Sequence, residues 1–94
     1  MKITGVVWLE EVVEKIESKH GVTQTEVEQV LSLTPKVRKM AKGRFRGEHV
    51  YRALGKTTAG RRLTVFFIHK RTGNALVLSA RDMDRKERRS YASK

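Results

Sequence analysis

The sequence has 94 residues, with 21 lysines and arginines against ten acids, a formal charge of +11 and no cysteine. That length gives one domain over residues 1–94 with a modest core, and the missing cysteines exclude a disulfide framework and a thiolate metal site. No apolar run approaches the ~20 residues that span a bilayer, and the N-terminal stretch lacks the h-region of a signal peptide, so a cytoplasmic protein with no membrane contact is expected.

The charge is unevenly placed. Met1 to Pro35 holds three lysines against six glutamates, a net −3, whereas Lys36 to Lys94 holds 18 cations against four acids, a net +14. Such asymmetry makes one basic side, for which a polyanion such as RNA is the natural partner. A basic surface kept for solubility, or for an acidic protein, is the plainer alternative.

Ile3 to Trp8 reads as a short first strand. Leu9, Val12, Val13 and Ile16 recur at i, i+3, i+4 and i+7, one stripe of a helix. Gly21 is placed to end it in the left-handed conformation. Thr23-Gln24-Thr25-Glu26 fits a capping box for a second helix, with Val22 and Val27 as its hydrophobic staple. Val27, Val30 and Leu31 form its buried stripe, and Pro35 stops it near Thr34.

Lys36 to Gly47 is basic, punctuated by Gly43 and Gly47, and has only Val37, Met40 and Phe45 as large apolar residues. It reads as an irregular loop with room for one edge strand. Glu48 to Gly55 resumes β character. Leu63 to Ile68 is apolar on both side-chain parities, which predicts a central strand covered on both faces. Gly73-Asn74 supplies positive-φ residues for a hairpin turn, and Ala75 to Ala80 returns as its partner strand. A charged helix is expected to begin at Arg81. The order β-α-α-β-β-β-α, with two N-terminal helices and one C-terminal helix on a small, mostly antiparallel sheet, is an α+β fold.

Several stretches occur in an order resembling one family. They are Lys19-His20-Gly21-Val22 after an amphipathic helix, then Leu54-Gly55-Lys56-Thr57, Gly60 and Arg61-Arg62-Leu63. Leu78-Ser79-Ala80-Arg81 follows, with Glu87 and Tyr91 after it. In this order they resemble the BrnT family of bacterial toxins. The resemblance implies a RelE/ParE-type fold and a metal-independent, cofactor-free endoribonuclease of a type II toxin–antitoxin pair. Its partner would be a small DNA-binding antitoxin, and its assembly a toxin–antitoxin hetero-oligomer or a homodimer. Family members typically follow the early Trp with Asp and place Lys and Asn along the first helix. Leu9, Val12 and Ile16 stand there in this chain, which points to a divergent or weakened toxin. The alternative is an RNA- or protein-binding module of the same fold.

Metal-free RNA cleavage needs a base near the 2′-OH, an acid near the departing oxygen and cations around the phosphorane. Arg81 can fork onto a phosphate, or pair with Asp82, Asp84 or Glu87. Glu87 and Tyr91 are four residues apart and share a helix face with Met83. Glu87 is a candidate base or an orienter of Arg81. Tyr91 is a stacking or proton-donating group, or a half-buried anchor. His20 is of the residue type most used for acid–base chemistry but also suits a helix C-terminus as a cap. Arg52, Arg62, Lys70, Arg71 and Arg88 are candidates for RNA contact, and each alone also reads as a solvated cation. His69 at a strand end reads as an edge residue with no role, and His49 beside Glu48 is a weaker candidate still. Gly55-Lys56-Thr57 is no P-loop, since the upstream glycine is Gly47 and no helix pattern follows.

Overall fold

The computed structural model describes residues 1–41 and 49–93. Its elements are β1 (Gly5–Val7), α1 (Glu10–His20), α2 (Gln24–Ser32), β2 (Lys36–Ala41), β3 (Val50–Lys56), β4 (Arg62–His69), β5 (Asn74–Asp82) and α3 (Arg85–Ala92). The strands form one sheet in the order β1-β5-β4-β3-β2, with β1 parallel to β5 and the other pairs antiparallel. This is the α+β arrangement expected, with one strand more. The addition is β2, which occupies the first part of the basic stretch read as a loop. Gly43, Phe45, Gly47 and Glu48 lie outside the described residues. No described helix is long and apolar enough to cross a membrane.

The helical hairpin forms as its sequence dictates. Val12 and Ile16 of α1 are buried, as are Val27, Val30 and Leu31 of α2. At the end of α1, Gly21 adopts φ 61°. The Gly21 amide then bonds Glu17 O, the 5→1 closure of an αL motif, and the Val22 amide bonds Ile16 O. Thr23 accepts from the Glu26 amide while the Glu26 carboxylate accepts from the Thr23 amide, at 3.2 and 3.0 Å. Leu9, by contrast, is the N-cap of α1 and makes no capping bond.

Register sorts the sheet residues onto two faces. Ala53, Leu63, Val65, Phe67, Ala75, Val77 and Ala80 point toward α1 and α2 and form one core with Val12, Ile16, Val22 and Val27. The opposite face carries Arg38, Arg52 and Phe66 in register, next to a row of Lys36, Leu54, Thr64 and Arg81. α3 lies over the second row, since Lys36 Nζ donates to the Ser90 and Ser93 carbonyls at one end and Thr64 meets Glu87 at the other. The expectation that β4 is covered on both faces therefore holds at Thr64, which is buried, but not at Phe66 and Ile68, which are half-buried.

Three local expectations are corrected. Strand β5 runs through Asp82, so the last helix starts at Arg85 rather than Arg81. The start is set by Asp84, whose side chain caps the Glu87 amide while the Glu87 carboxylate accepts from the Asp84 amide. Met83 lies before the helix, not on its face with Glu87 and Tyr91. In the hairpin turn only Gly73 has positive φ, at 92°, and Asn74 already belongs to β5. Between Phe66 and Phe67 the register skips Leu78, a β-bulge. The Leu78 carbonyl accepts from Lys15 Nζ at 2.9 Å, a tie from α1 to β5.

Arg61 joins the layers. Its Nε and Nη2 hold Asp82, its Nη1 holds Glu26 and the Gly21 carbonyl, and Nη2 also donates to the His20 carbonyl. A cation thus satisfies the orphan carbonyls at the α1 C-terminus and ties both helices to β5. The Arg61 hydrogen bonds hold the Asp82 carboxyl below its usual range. Burial raises the Glu26 carboxyl, but bonds from Thr23 and Arg61 outweigh it and hold the group low. Arg61→Ala is expected to destabilise the fold by about 2 kcal/mol, the scale of hydrogen bonds to charged groups. An unfolding midpoint equal to wild type in urea would contradict that role.

Candidate nucleic-acid interface

The α3 face of the sheet concentrates cations around one arginine. Arg81 Nη1 and Nη2 grip the Glu87 carboxylate at 2.6 and 2.9 Å. Nη1 also donates to the Asp82 carbonyl. Of the five guanidinium donors, two remain uncommitted among the described residues. The guanidinium carbon lies 5.6 Å from the centroid of the Phe66 ring, within cation–π range. Phe66 is directly opposite Arg52, and Arg52 is directly opposite Arg38. The Nε of Arg52 is buried and has no hydrogen-bond partner among the described residues.

Glu87 is fully engaged. It is 6% exposed and accepts from Arg81, from Thr64 Oγ1 at 2.9 Å and from the Asp84 amide at 2.9 Å. Burial pushes its carboxyl up, but the Arg81, Asp84 and Thr64 bonds outweigh that and hold it at about 2. The Glu87 bonds in turn raise the Arg81 guanidinium. A carboxylate this tightly held is a poor proton acceptor near neutrality. What it does instead is fix the plane of the Arg81 fork.

The structure gathers only some of the residues singled out from sequence. Arg81 and Glu87 touch, and Arg52 stands across Phe66 from them. Arg62, Arg88 and Tyr91 come together on the other side of α3, in a separate cleft at the strand ends. Lys70 and Arg71 belong to the β4–β5 turn, near the opposite end of the sheet from that cleft. His20 ends α1 on the opposite layer, where its carbonyl receives Arg61. His69 also points to that layer, where its ring bonds the Lys2 carbonyl and meets Tyr51 edge-on. Sequence reading missed Phe66 and Arg38. Their signal is positional, since both fall on the α3 face only once the register is known.

The fold has a known counterpart. It is similar to the 1.1 Å crystal structure of the Brucella abortus ribonuclease toxin BrnT, with a TM-score of 0.65 and 20% sequence identity over 86% of this chain and 97% of that one. The likeness establishes a BrnT-like fold. No family model matches the sequence, and no curated protein matches it.

Proposed function

We propose that this chain is an RNA-directed, BrnT-like toxin that acts as a metal-independent endoribonuclease and is neutralised by a small antitoxin protein in the cytoplasm. The observation that carries the proposal is the Arg81 fork, braced by Glu87, laid over Phe66 and left with two free donors beside Arg52. In this reading Arg81 faces the scissile phosphate and stabilises the charge that develops on the phosphorane oxygens. Glu87 positions Arg81, Phe66 offers a face on which a base can stack, and Arg52 and Arg38 attract the backbone. The likeness to a ribonuclease toxin in fold supports the reading.

A second reading is favoured by one observation. Glu87 is consumed by its hydrogen bonds, and His20 and His69 lie on the other layer. A site with no free base among the described residues of its own face suits an RNA-binding module or a slow nuclease better than an efficient one. Val12 and Ile16 point the same way, because core packing has replaced the polar residues the resembled family carries there. Induced expression separates the readings. A toxin arrests growth when expressed alone, and coexpression of the small protein encoded next to it restores growth. Undisturbed growth with intact cellular RNA is the outcome that removes the toxin reading.

A further inference from the structure

We propose that the strand-end cleft beyond α3 binds a phosphodiester of single-stranded RNA among Lys56, Arg62 and Arg88, with a base against Tyr91. The RNA class of ligand rests on the function proposed above, and the cleft lies apart from the Arg81 centre.

The cleft has a volume of about 410 Å³ and, among the described residues, no carboxylate in its lining. Lys56 and Arg62 occupy directly opposite positions on β3 and β4, an arrangement of like charges that destabilises a sheet. Arg88 brings a third cation from α3. Three other cations are matched. Arg61 has Glu26 and Asp82, Arg81 has Glu87, and Lys36 is spent on the Ser90 and Ser93 carbonyls. Among the described residues, the side chains of Lys56, Arg62 and Arg88 have neither an ion pair nor a hydrogen bond. Three elements thus converge cations that form no ion pair among the described residues, and a bound polyanion would pair with them.

Two further features shape the cleft. Tyr91 is half-buried in its wall with Lys36 Nζ 5.8 Å from the ring centroid. An aromatic ring beside clustered cations is the composition of single-strand nucleic-acid sites, and it favours RNA over an acidic protein segment. Thr34, also in the wall, has φ 47°. A β-branched residue rarely adopts that conformation, and such strain tends to collect at functional sites. Past Arg62 and Arg88 a second depression continues to Gly60, Asp82 and Met83. It gives a strand held by the cleft a path toward β5, which carries Arg81.

The test measures binding of the full chain to a fluorescent 2′-O-methyl oligouridylate in EDTA across a series of KCl concentrations. That probe lacks the attacking hydroxyl, so binding is read independently of cleavage. Lys56→Gln/Arg62→Gln/Arg88→Gln is expected to flatten the log–log salt slope by about 2, at ~0.7 per lost phosphate contact, and to weaken binding more than tenfold at low salt. Its thermal midpoint should not fall, because the substitutions relieve repulsion. Lys2→Gln/Lys19→Gln/Lys39→Gln, which removes the same charge elsewhere, should leave the slope near wild type. Tyr91→Leu should weaken binding without changing the slope. Equal losses in the two triple variants would overturn the proposal in favour of a diffuse basic surface. A cleft variant that binds RNA like wild type would also overturn it and leave the cleft to an acidic partner protein. A wild type that binds this probe through the cleft yet cuts no RNA supports the cleft and removes only the nuclease reading.

Discussion

Glu87→Ala is expected to lower the unfolding free energy by about 3 kcal/mol at neutral pH. The side chain is nearly inaccessible and its carboxyl is held at about 2 against an ordinary 4.5. At ~1.4 kcal/mol per unit, that difference is the stability the charged form contributes. Because the folded value lies below the unfolded one, the contribution is complete above pH 4.5 and disappears as the pH falls through about 2. Wild type should therefore lose stability across that window, and the alanine variant should lose less. Glu26 and Asp82, whose carboxyls are also held low, titrate in both proteins. Urea titrations at several pH values read this directly. Parallel stability curves for the two proteins between pH 5 and pH 2 would show that the Glu87 hydrogen bonds contribute nothing net.

Arg81→Ala should affect both stability and chemistry, and the two effects can be separated. Removing the guanidinium leaves Glu87 buried with only the Thr64 and Asp84 bonds. Loss of one member of a buried pair costs ~3–5 kcal/mol. With one-third of Arg81 exposed, solvent screening reduces this to roughly 2 kcal/mol. The Arg81→Ala/Glu87→Ala double variant should be more stable than the sum of the single effects, because no charge is then stranded. Its RNA cleavage should still be down by ~10²–10³-fold, the usual loss for a group that stabilises developing charge. Arg81→Lys should recover little, because one ammonium cannot span both carboxylate oxygens and a phosphate. If the double variant folds and cleaves at the wild-type rate, Arg81 is a brace and not part of the chemistry.

Local signals made much of the fold readable. The i, i+3, i+4 stripe of α1, the Thr23–Glu26 box of α2 and the two-parity apolar run of β4 each follow from neighbours within a few residues. Strand β2 was hidden because its alternation is carried by cations. Lys36 and Arg38 face α3, and Lys39 follows Val37 on the other side, which is how an exposed edge strand avoids pairing with another chain. The start of α3 was visible in Asp84-Arg85-Lys86-Glu87, another capping box. Arg81, four residues before the helix begins, competes with it as a boundary.

The site was less legible, for a physical reason. The choice between Arg81 as a phosphate fork and Arg81 as a partner of Glu87 could not be made from spacing, and the geometry joins the two roles in one side chain. The Arg61 hub links residues 35 and 21 positions away, a pairing only the folded sheet defines. The separation of Arg62, Arg88 and Tyr91 from Arg81 depends on which way α3 crosses the strands. The ends that fix it are Lys36 with Ser90 and Ser93, and Thr64 with Glu87. His20 illustrates the limit most clearly. Its chemistry suits catalysis, but its position beneath Arg61 is on the opposite layer.

The most direct measurement is the fate of a labelled RNA incubated with the purified wild-type chain and with folded Arg81→Ala/Glu87→Ala in excess EDTA. The expected result is internal cleavage by wild type, slow but proportional to protein concentration, and none above background for the double variant. Intact RNA at protein concentrations that saturate binding would contradict the nuclease and leave a basic RNA-binding domain of BrnT-like fold.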